Sequence, residues 1–180
     1  MPKGRGIRRI TTVMKIKLTI PSKEMKPQAM AFRQEFIDAK EAGIPGSRDL
    51  MGFESYGEWL DSLKPKIAEE TPSITFFAFR QPDGVLVGSA SIRMSLTKET
   101  LEDGHVELSI RPSQRNKGYG SEVLRQVLDR ARELGIMEVF ASCGKKNRPA
   151  AKIMKKNGME RNGMKNGNLS GLIIIYSKDV

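Results

Sequence analysis

The sequence predicts a mixed α/β (α+β) fold, in which a mixed, mostly antiparallel sheet is flanked by helices in the order β-α-α-β-β-β-α-β-α-β-β. Three patterns carry this reading. Some segments alternate apolar and polar residues, the period of a half-buried strand. Others repeat apolar residues every three to four positions, the period of an amphipathic helix. Glycine, proline and asparagine pairs fall between these segments, where the chain must turn.

Residues 14–20 (MKIKLTI) alternate and predict the first strand. Residues 24–41 predict a helix, with Met25, Ala29, Phe32, Phe36 and Ala39 on one face. The stretch GIPGS (43–47) is a loop, and Tyr56, Trp59, Leu60 and Leu63 form a second helical stripe that Pro65 ends. These aromatics read as packing. Residues 74–80 (ITFFAFR) and 85–96 form a hairpin about the turn QPDG, with Ala90, Ile92, Met94 and Leu96 sharing a face.

After a polar loop at 97–104, residues 105–111 (HVELSIR) alternate again through Val106, Leu108 and Ile110. Pro112 ends that strand. Val123, Leu124, Val127, Leu128, Ala131 and Leu134 then recur at helical spacing before a stop at Gly135. A strand at 136–143, a helix at 148–156 closed by Asn157–Gly158, and two last strands complete the order, with Asn162–Gly163 and Asn166–Gly167 as turn signals.

The chain has 180 residues, enough for one domain with a real core. It contains no repeat, low-complexity block or linker. Its longest late apolar run, LIIIY, is strand-sized, and no stretch approaches the ~20 apolar residues of a membrane span. Cys143 and His105 are the sole cysteine and histidine, which excludes an internal disulfide and a zinc-type cluster and suggests a reducing, cytoplasmic setting. No metal is expected. Of the net charge of +10, four charges (Lys3, Arg5, Arg8, Arg9) lie in residues 1–13, which hold no acids. Residues 1–13 read as a flexible basic leader or an upstream start, and residues 14–180 as the single domain. The positive balance suits anionic partners. The basic residues are scattered and no nucleic-acid-reading motif is present, which argues against a nucleic-acid partner.

The loop RNKGYG joins the strand at 105–111 to the long helix. A helix N-terminus presents free N–H groups and the positive end of the dipole, which suits a phosphate. Arg115 and Lys117 add charge, and Gly118 and Gly120 let the backbone approach a ligand and adopt positive φ. The loop lacks the Lys-Ser/Thr ending of a phosphate-binding NTPase loop and the three-glycine dinucleotide fingerprint. A basic βα turn without a ligand is the plain alternative.

Arg115-x-x-Gly118-x-Gly120 fits the pattern R/Q-x-x-G-x-G/A, and SIRPSQRNKGYGSEVL (109–124) resembles the strand–loop–helix core of the GNAT N-acetyltransferase superfamily. A histidine opening the strand makes it similar to small bacterial acetyltransferases of uncharacterised acceptor. The resemblance implies a GNAT-like fold over residues 14–180 and acetyl-CoA as co-substrate. It implies that Ser109, Ile110 and Arg111 hold the pantetheine arm. It further implies that the loop amides of Arg115, Asn116, Lys117, Gly118, Tyr119 and Gly120, with Ser121, hold the pyrophosphate.

Acetyl transfer to an amine needs a held thioester, a deprotonated amine and a stabilised oxyanion and thiolate. Many family members carry a carboxylate seven residues before the strand-ending proline; here that position is His105. Glu107 shares its strand face. Either is a candidate base, Glu107 could also orient the imidazole or attract an ammonium, and both could be solvated polar residues. In NRPAAKIMKKNGM (147–159) Asn147, Ala150 and Gly158 match a family motif, but Met154 replaces its tyrosine, and a thioether donates no proton. Asn147 fits both a pantetheine hydrogen bond and a helix N-cap. Cys143 reads as a buried structural thiol.

The leading expectation is an N-acetyltransferase in which a primary amine, of a small molecule or a peptide, attacks the thioester directly. The alternative is an acyl-CoA-binding sensor that does not turn over. Glu54, Glu58, Glu102 and Asp103 are candidate acceptor-lining carboxylates, and a homodimer is the assembly the resemblance brings to mind.

Overall fold

Strands and helices follow the predicted order in the computed structural model, which describes residues 15–65, 71–167 and 171–180. The basic leader, and Met14 with it, lies outside the described residues. Strands β1 (Ile16–Thr19), β2 (Ser73–Arg80), β3 (Leu86–Arg93) and β4 (Val106–Ile110) form one antiparallel sheet in chain order. Strands β5 (Glu138–Gly144), β6 (Glu160–Gly167) and β7 (Gly171–Asp179) form a second, in the order β5-β7-β6. The expected mixed sheet is thus divided into two antiparallel ones, with the division between β4 and β5.

Helices α1 (Lys26–Asp38) and α2 (Tyr56–Ser62) cover one face of the first sheet; α3 (Tyr119–Glu133), with α4 (Arg148–Lys156) beside it, covers the other. The alternation in β2 explains why both layers hold. Phe77 and Phe79 pack with Phe32, Phe36 and Trp59 of the first layer, whereas Phe76 and Ala78 pack with Val123, Val127 and Ala131 of α3. The Trp59 ring stacks on Phe77 at 5.4 Å and its Nε1 donates to Ser47 O at 2.8 Å. The aromatics of α2 are core, as expected. A Ser55/Glu58 capping box starts that helix.

Three details differ from the sequence reading. The first helix opens as a 3-10 turn (Lys23–Met25) and becomes α-helical only at Lys26. Pro27 lacks the N–H that a deeper helical position must donate, so it is accommodated in the first turn. β3 stops at Arg93, because β4 supplies partners only as far as Ile92↔Val106. Asn162–Gly163 makes a bulge inside β6, not a turn, with the register shifting between Arg161 and Gly163. No helix among the described residues is long and apolar enough to cross a membrane.

Candidate active site

The site is built around the division between the sheets. β4 and β5 are bridged at Gly104↔Ala141 and are not laddered beyond it. The β3 register decides which β4 groups face the opening. Arg93 N–H donates to His105 O (2.7 Å) and Arg111 N–H to Val87 O (2.8 Å). Glu107, opposite Ser91, and Ser109, opposite Ser89, therefore turn their backbone groups to β3, as Arg111 turns its N–H and His105 its carbonyl. Residues between them in an antiparallel pair point the other way. The backbones of Leu108 and Ile110 consequently face the unladdered edge. Of the three strand residues singled out, Ile110 has its backbone toward the gap, as does Leu108, whereas Ser109 and the N–H of Arg111 pair with β3.

Past Ile110 the chain makes a 3-10 turn (Pro112–Gln114) and enters α3 through the cationic loop. Asn116 and Gly118 both have positive φ, at +60° and +88°. Gly118 is the N-cap of α3 and no side chain caps the helix, whose first intrahelical bond runs from Glu122 N to Gly118 O at 3.4 Å. Among the described residues the N–H groups of Tyr119, Gly120 and Ser121 have no acceptor. They are available to an anion.

The side chains of this loop serve the protein itself. Arg115 Nε donates to Ile110 O at 2.9 Å, and its guanidinium clasps Glu41 and lies 5.5 Å from the Phe36 ring centroid. Lys117 Nζ donates to Ser113 O at 2.9 Å. The Tyr119 ring is buried and its hydroxyl accepts from Arg80 Nη1 at 3.2 Å. Ser121 O and Oγ accept from Asn157 Nδ2 at 3.1 and 3.2 Å. Gly120 has helical φ; its constraint is close approach, since a Cβ there would lie 2.7 Å from Ile153 Cδ1. Gly118 supplies the unusual dihedral and Gly120 the helix packing, not both alike.

The opposite face of β4 carries Glu107, Ser109 and Arg111, and the α1–α2 loop is seated on it. Ser109 Oγ donates to Pro45 O (2.8 Å), Ser89 Oγ to Gly46 O (2.8 Å), and Gly46 N to Glu107 Oε2 (3.3 Å). Glu107 Oε1 lies 3.4 Å from Arg93 Nη2. Arg111 Nε donates to Glu35 Oε1 at 2.6 Å, tying the strand to α1. Burial raises the Glu35 pKa, but bonds from Ser113 and Arg111 outweigh it, and the net shift is downward. Beside the seated loop is an open cleft of about 470 Å³ lined by Glu41, Ala42, Gly43, Ile44, Pro45 and Asp49.

None of the carboxylates expected to line an acceptor site lines this cleft. Glu58 serves the α2 cap, Glu102 pairs with Lys165 at 3.0 Å, and Glu54 and Asp103 are exposed elsewhere. The carboxylates that do line the cleft are Glu41 and Asp49, on either side of the GIPGS loop.

His105 is half-buried at the bridge between the sheets. Its N–H donates to Phe140 O (2.7 Å), and its Nδ1 accepts from Phe140 N–H (3.1 Å). Burial, and then the Arg93 guanidinium, lower its pKa, against an opposing pull from Glu138. Asn147 caps α4, its Oδ1 accepting from Ala150 N at 3.2 Å. Met154 is buried in the core cluster it shares with Cys143 and Tyr176. Burial raises the Cys143 pKa, so the thiol stays protonated. Tyr56 donates to Ser22 O and Tyr119 accepts from Arg80, while the Tyr176 hydroxyl has no hydrogen-bond partner among the described residues. Burial raises the Tyr176 pKa as well. No group of three or more His, Cys, Asp or Glu among the described residues is arranged to hold a metal ion.

The family model for the acetyltransferase (GNAT) domain matches residues 38–160, well over half of the chain. The chain belongs to the GNAT family. A curated relative, the uncharacterized N-acetyltransferase YnaD of Bacillus subtilis (strain 168), is 33% identical over 79 residues, covering 43% of this chain and 45% of that protein. The match thus spans less than half the length of that relative. The GNAT fold also shows in solved structures. A GNAT-family acetyltransferase from Bacillus anthracis superposes with a TM-score of 0.66 at 17% identity, covering 92% of this chain and 95% of that one. RimL, a ribosomal L7/L12 alpha-N-protein acetyltransferase solved with coenzyme A, superposes with a TM-score of 0.67 at 12% identity, covering 92% and 94%.

Proposed function

We propose that this protein transfers an acetyl group from acetyl-CoA to a primary amine by direct attack within a ternary complex. The observation that carries the reading is the uncapped start of α3, whose free amides open beside the unladdered edge of β4. A diphosphate on the amides of Tyr119, Gly120 and Ser121 leaves the arm attached to it within reach of the Leu108 and Ile110 backbones. Known GNAT neighbours include a complex with coenzyme A, which supports the same ligand.

In this reading the amine enters from the cleft beside Pro45 and Gly46, and Glu107 takes its proton directly or through water. The amine nitrogen attacks the thioester carbon, the C–S bond breaks, and the thiolate of CoA leaves and regains a proton. Met154 has none to give. The Tyr176 hydroxyl, protonated and without a hydrogen-bond partner among the described residues, is the tyrosine left to supply it. Asn147 has a further amide N–H₂ to offer the arm while its Oδ1 caps α4. The acceptor is a small amine or a protein amine.

Titration calorimetry with acetyl-CoA, followed by a panel of amines read by thiol release, tests this. Neither heat nor thermal stabilisation at millimolar acetyl-CoA refutes it. The buried Met154 favours a second reading, an acyl-CoA sensor that does not turn over; binding without thiol release across the panel would establish that one instead.

A further inference from the structure

His105 makes two hydrogen bonds to one residue across the division between the sheets. Its backbone N–H donates to Phe140 O at 2.7 Å and its Nδ1 accepts from Phe140 N–H at 3.1 Å. In a continued ladder a backbone carbonyl of β4 would accept that N–H. A side chain accepts it here, so pairing ends at this point. Neighbouring contacts anchor the same junction. The imidazole packs on the Phe140 ring at 5.9 Å, Ser142 Oγ donates to Glu102 O at 2.6 Å, and Arg93 Nη1 donates to Gly104 O at 2.5 Å.

We propose that His105 is a positioning residue, a two-point clamp on Phe140 that ends the β4–β5 pairing and so sets the width of the gap into which the acyl-CoA arm is laid. For its ligand this inference rests on the acyl-CoA reading. With Nδ1 accepting from an amide, the neutral ring carries its proton on Nε2, and no basic nitrogen is left to take a proton from an amine. A protonated ring would set donor against donor at Phe140. Burial and the Arg93 guanidinium from β3 oppose that protonation, Glu138 from β5 favours it, and Glu107 follows on the same face of β4.

The test compares His105→Asn, whose Oδ1 falls where Nδ1 lies and which cannot titrate, with His105→Leu, which removes the acceptor. Amide hydrogen exchange at Phe140 is read in the full-length protein without ligand. KM for acetyl-CoA, kcat and the pH profile of kcat are read separately. For His105→Leu, Phe140 protection is expected to fall and KM to rise, each by roughly tenfold, with kcat changed less. His105→Asn is expected to restore both and to keep the acid limb of the kcat profile. Loss of kcat by roughly 10² or more in His105→Asn at unchanged KM, with the acid limb gone, overturns the proposal and makes His105 the base. Unchanged Phe140 exchange in His105→Leu also overturns it. Should His105→Leu fail to fold, the same readouts in His105→Asn decide. Absence of acetyl-CoA binding by the unmodified protein would strike the acyl-CoA reading, while the Phe140 exchange still reports on the clamp.

Discussion

Arg115 and Glu41 form a fork-to-fork pair: Nη1 to Oε1 is 2.6 Å and Nη2 to Oε2 is 3.0 Å. The guanidinium that looks from sequence like a phosphate ligand is held by the chain just past α1, while its Nε caps the Ile110 carbonyl. Arg115 then orders the loop that leads into the free amides of α3. Arg115→Ala and Glu41→Gln are both expected to destabilise by about 0.5–1 kcal/mol, the pair being partly exposed, and to weaken CoA binding by similar small factors. Were Arg115 a direct phosphate ligand, Glu41→Gln would free it and strengthen binding. Thermal melts and CoA titrations of the two variants separate these cases by sign.

Gly120 is required by packing. Gly120→Ala places a Cβ 2.7 Å from Ile153 Cδ1, the far end of a flexible side chain. A loss of about 1–2 kcal/mol is expected, and Ile153→Val, which deletes the Cδ1 methyl, should recover much of it. A double-mutant cycle by urea denaturation checks this. Two losses that simply add would mean the contact is not the constraint.

Glu107 holds the seated loop by accepting from Gly46 N–H at 3.3 Å, and it is the base of the proposed reaction. Glu107→Gln keeps an oxygen for Gly46 N–H but cannot accept a proton. We expect kcat to fall by roughly 10²–10⁴, with stability changed by less than about 1 kcal/mol. If kcat survives and the melt shifts instead, Glu107 only seats the loop.

Tyr176→Phe removes a hydroxyl that has no hydrogen-bond partner among the described residues, so its structural cost is small. A several-fold drop in kcat at unchanged KM is expected if that hydroxyl returns the proton to sulfur. Steady-state kinetics decide, and equal kcat in both proteins would leave CoA departing as a thiolate or protonated by water.

The folded protein resists protonation of His105, so the unfolded chain binds more protons once pH falls below the ordinary histidine value of 6.5. The stability is present above that value and is lost as pH falls from there through the lowered folded pKa. Glu35 acts in the same direction, in a more acidic window below its ordinary 4.5. Denaturant melts at pH 7.5, 6.5 and 5.5 should show a decline in the native protein that His105→Asn lacks. Identical slopes would mean that His105 titrates alike in both states.

Local chemistry made much of the fold readable. The period-2 runs of β2 and β4, the apolar stripe of α3 and the Asn147 cap are short-range signals, and each lies where its pattern placed it. The element boundaries that moved, at Pro27 and after Arg93, moved because a missing N–H or a missing partner strand outweighed side-chain periodicity. The uncapped start of α3 was readable because a strand–loop–helix junction builds its geometry within a dozen residues.

What the sequence by itself determined is the order of elements, the family, and the position of the uncapped helix start, since these follow from residue types near one another in the chain. Only the tertiary structure decided that Arg115 answers to Glu41, that the backbones of Leu108 and Ile110 rather than those of Ser109 and Arg111 face the gap, that Pro45 and Gly46 are seated on β4, and that His105 grips Phe140. Each of those contacts joins residues far apart in the chain or depends on the register of a neighbouring strand. One-dimensional pattern records which face a side chain takes, not which partner waits there.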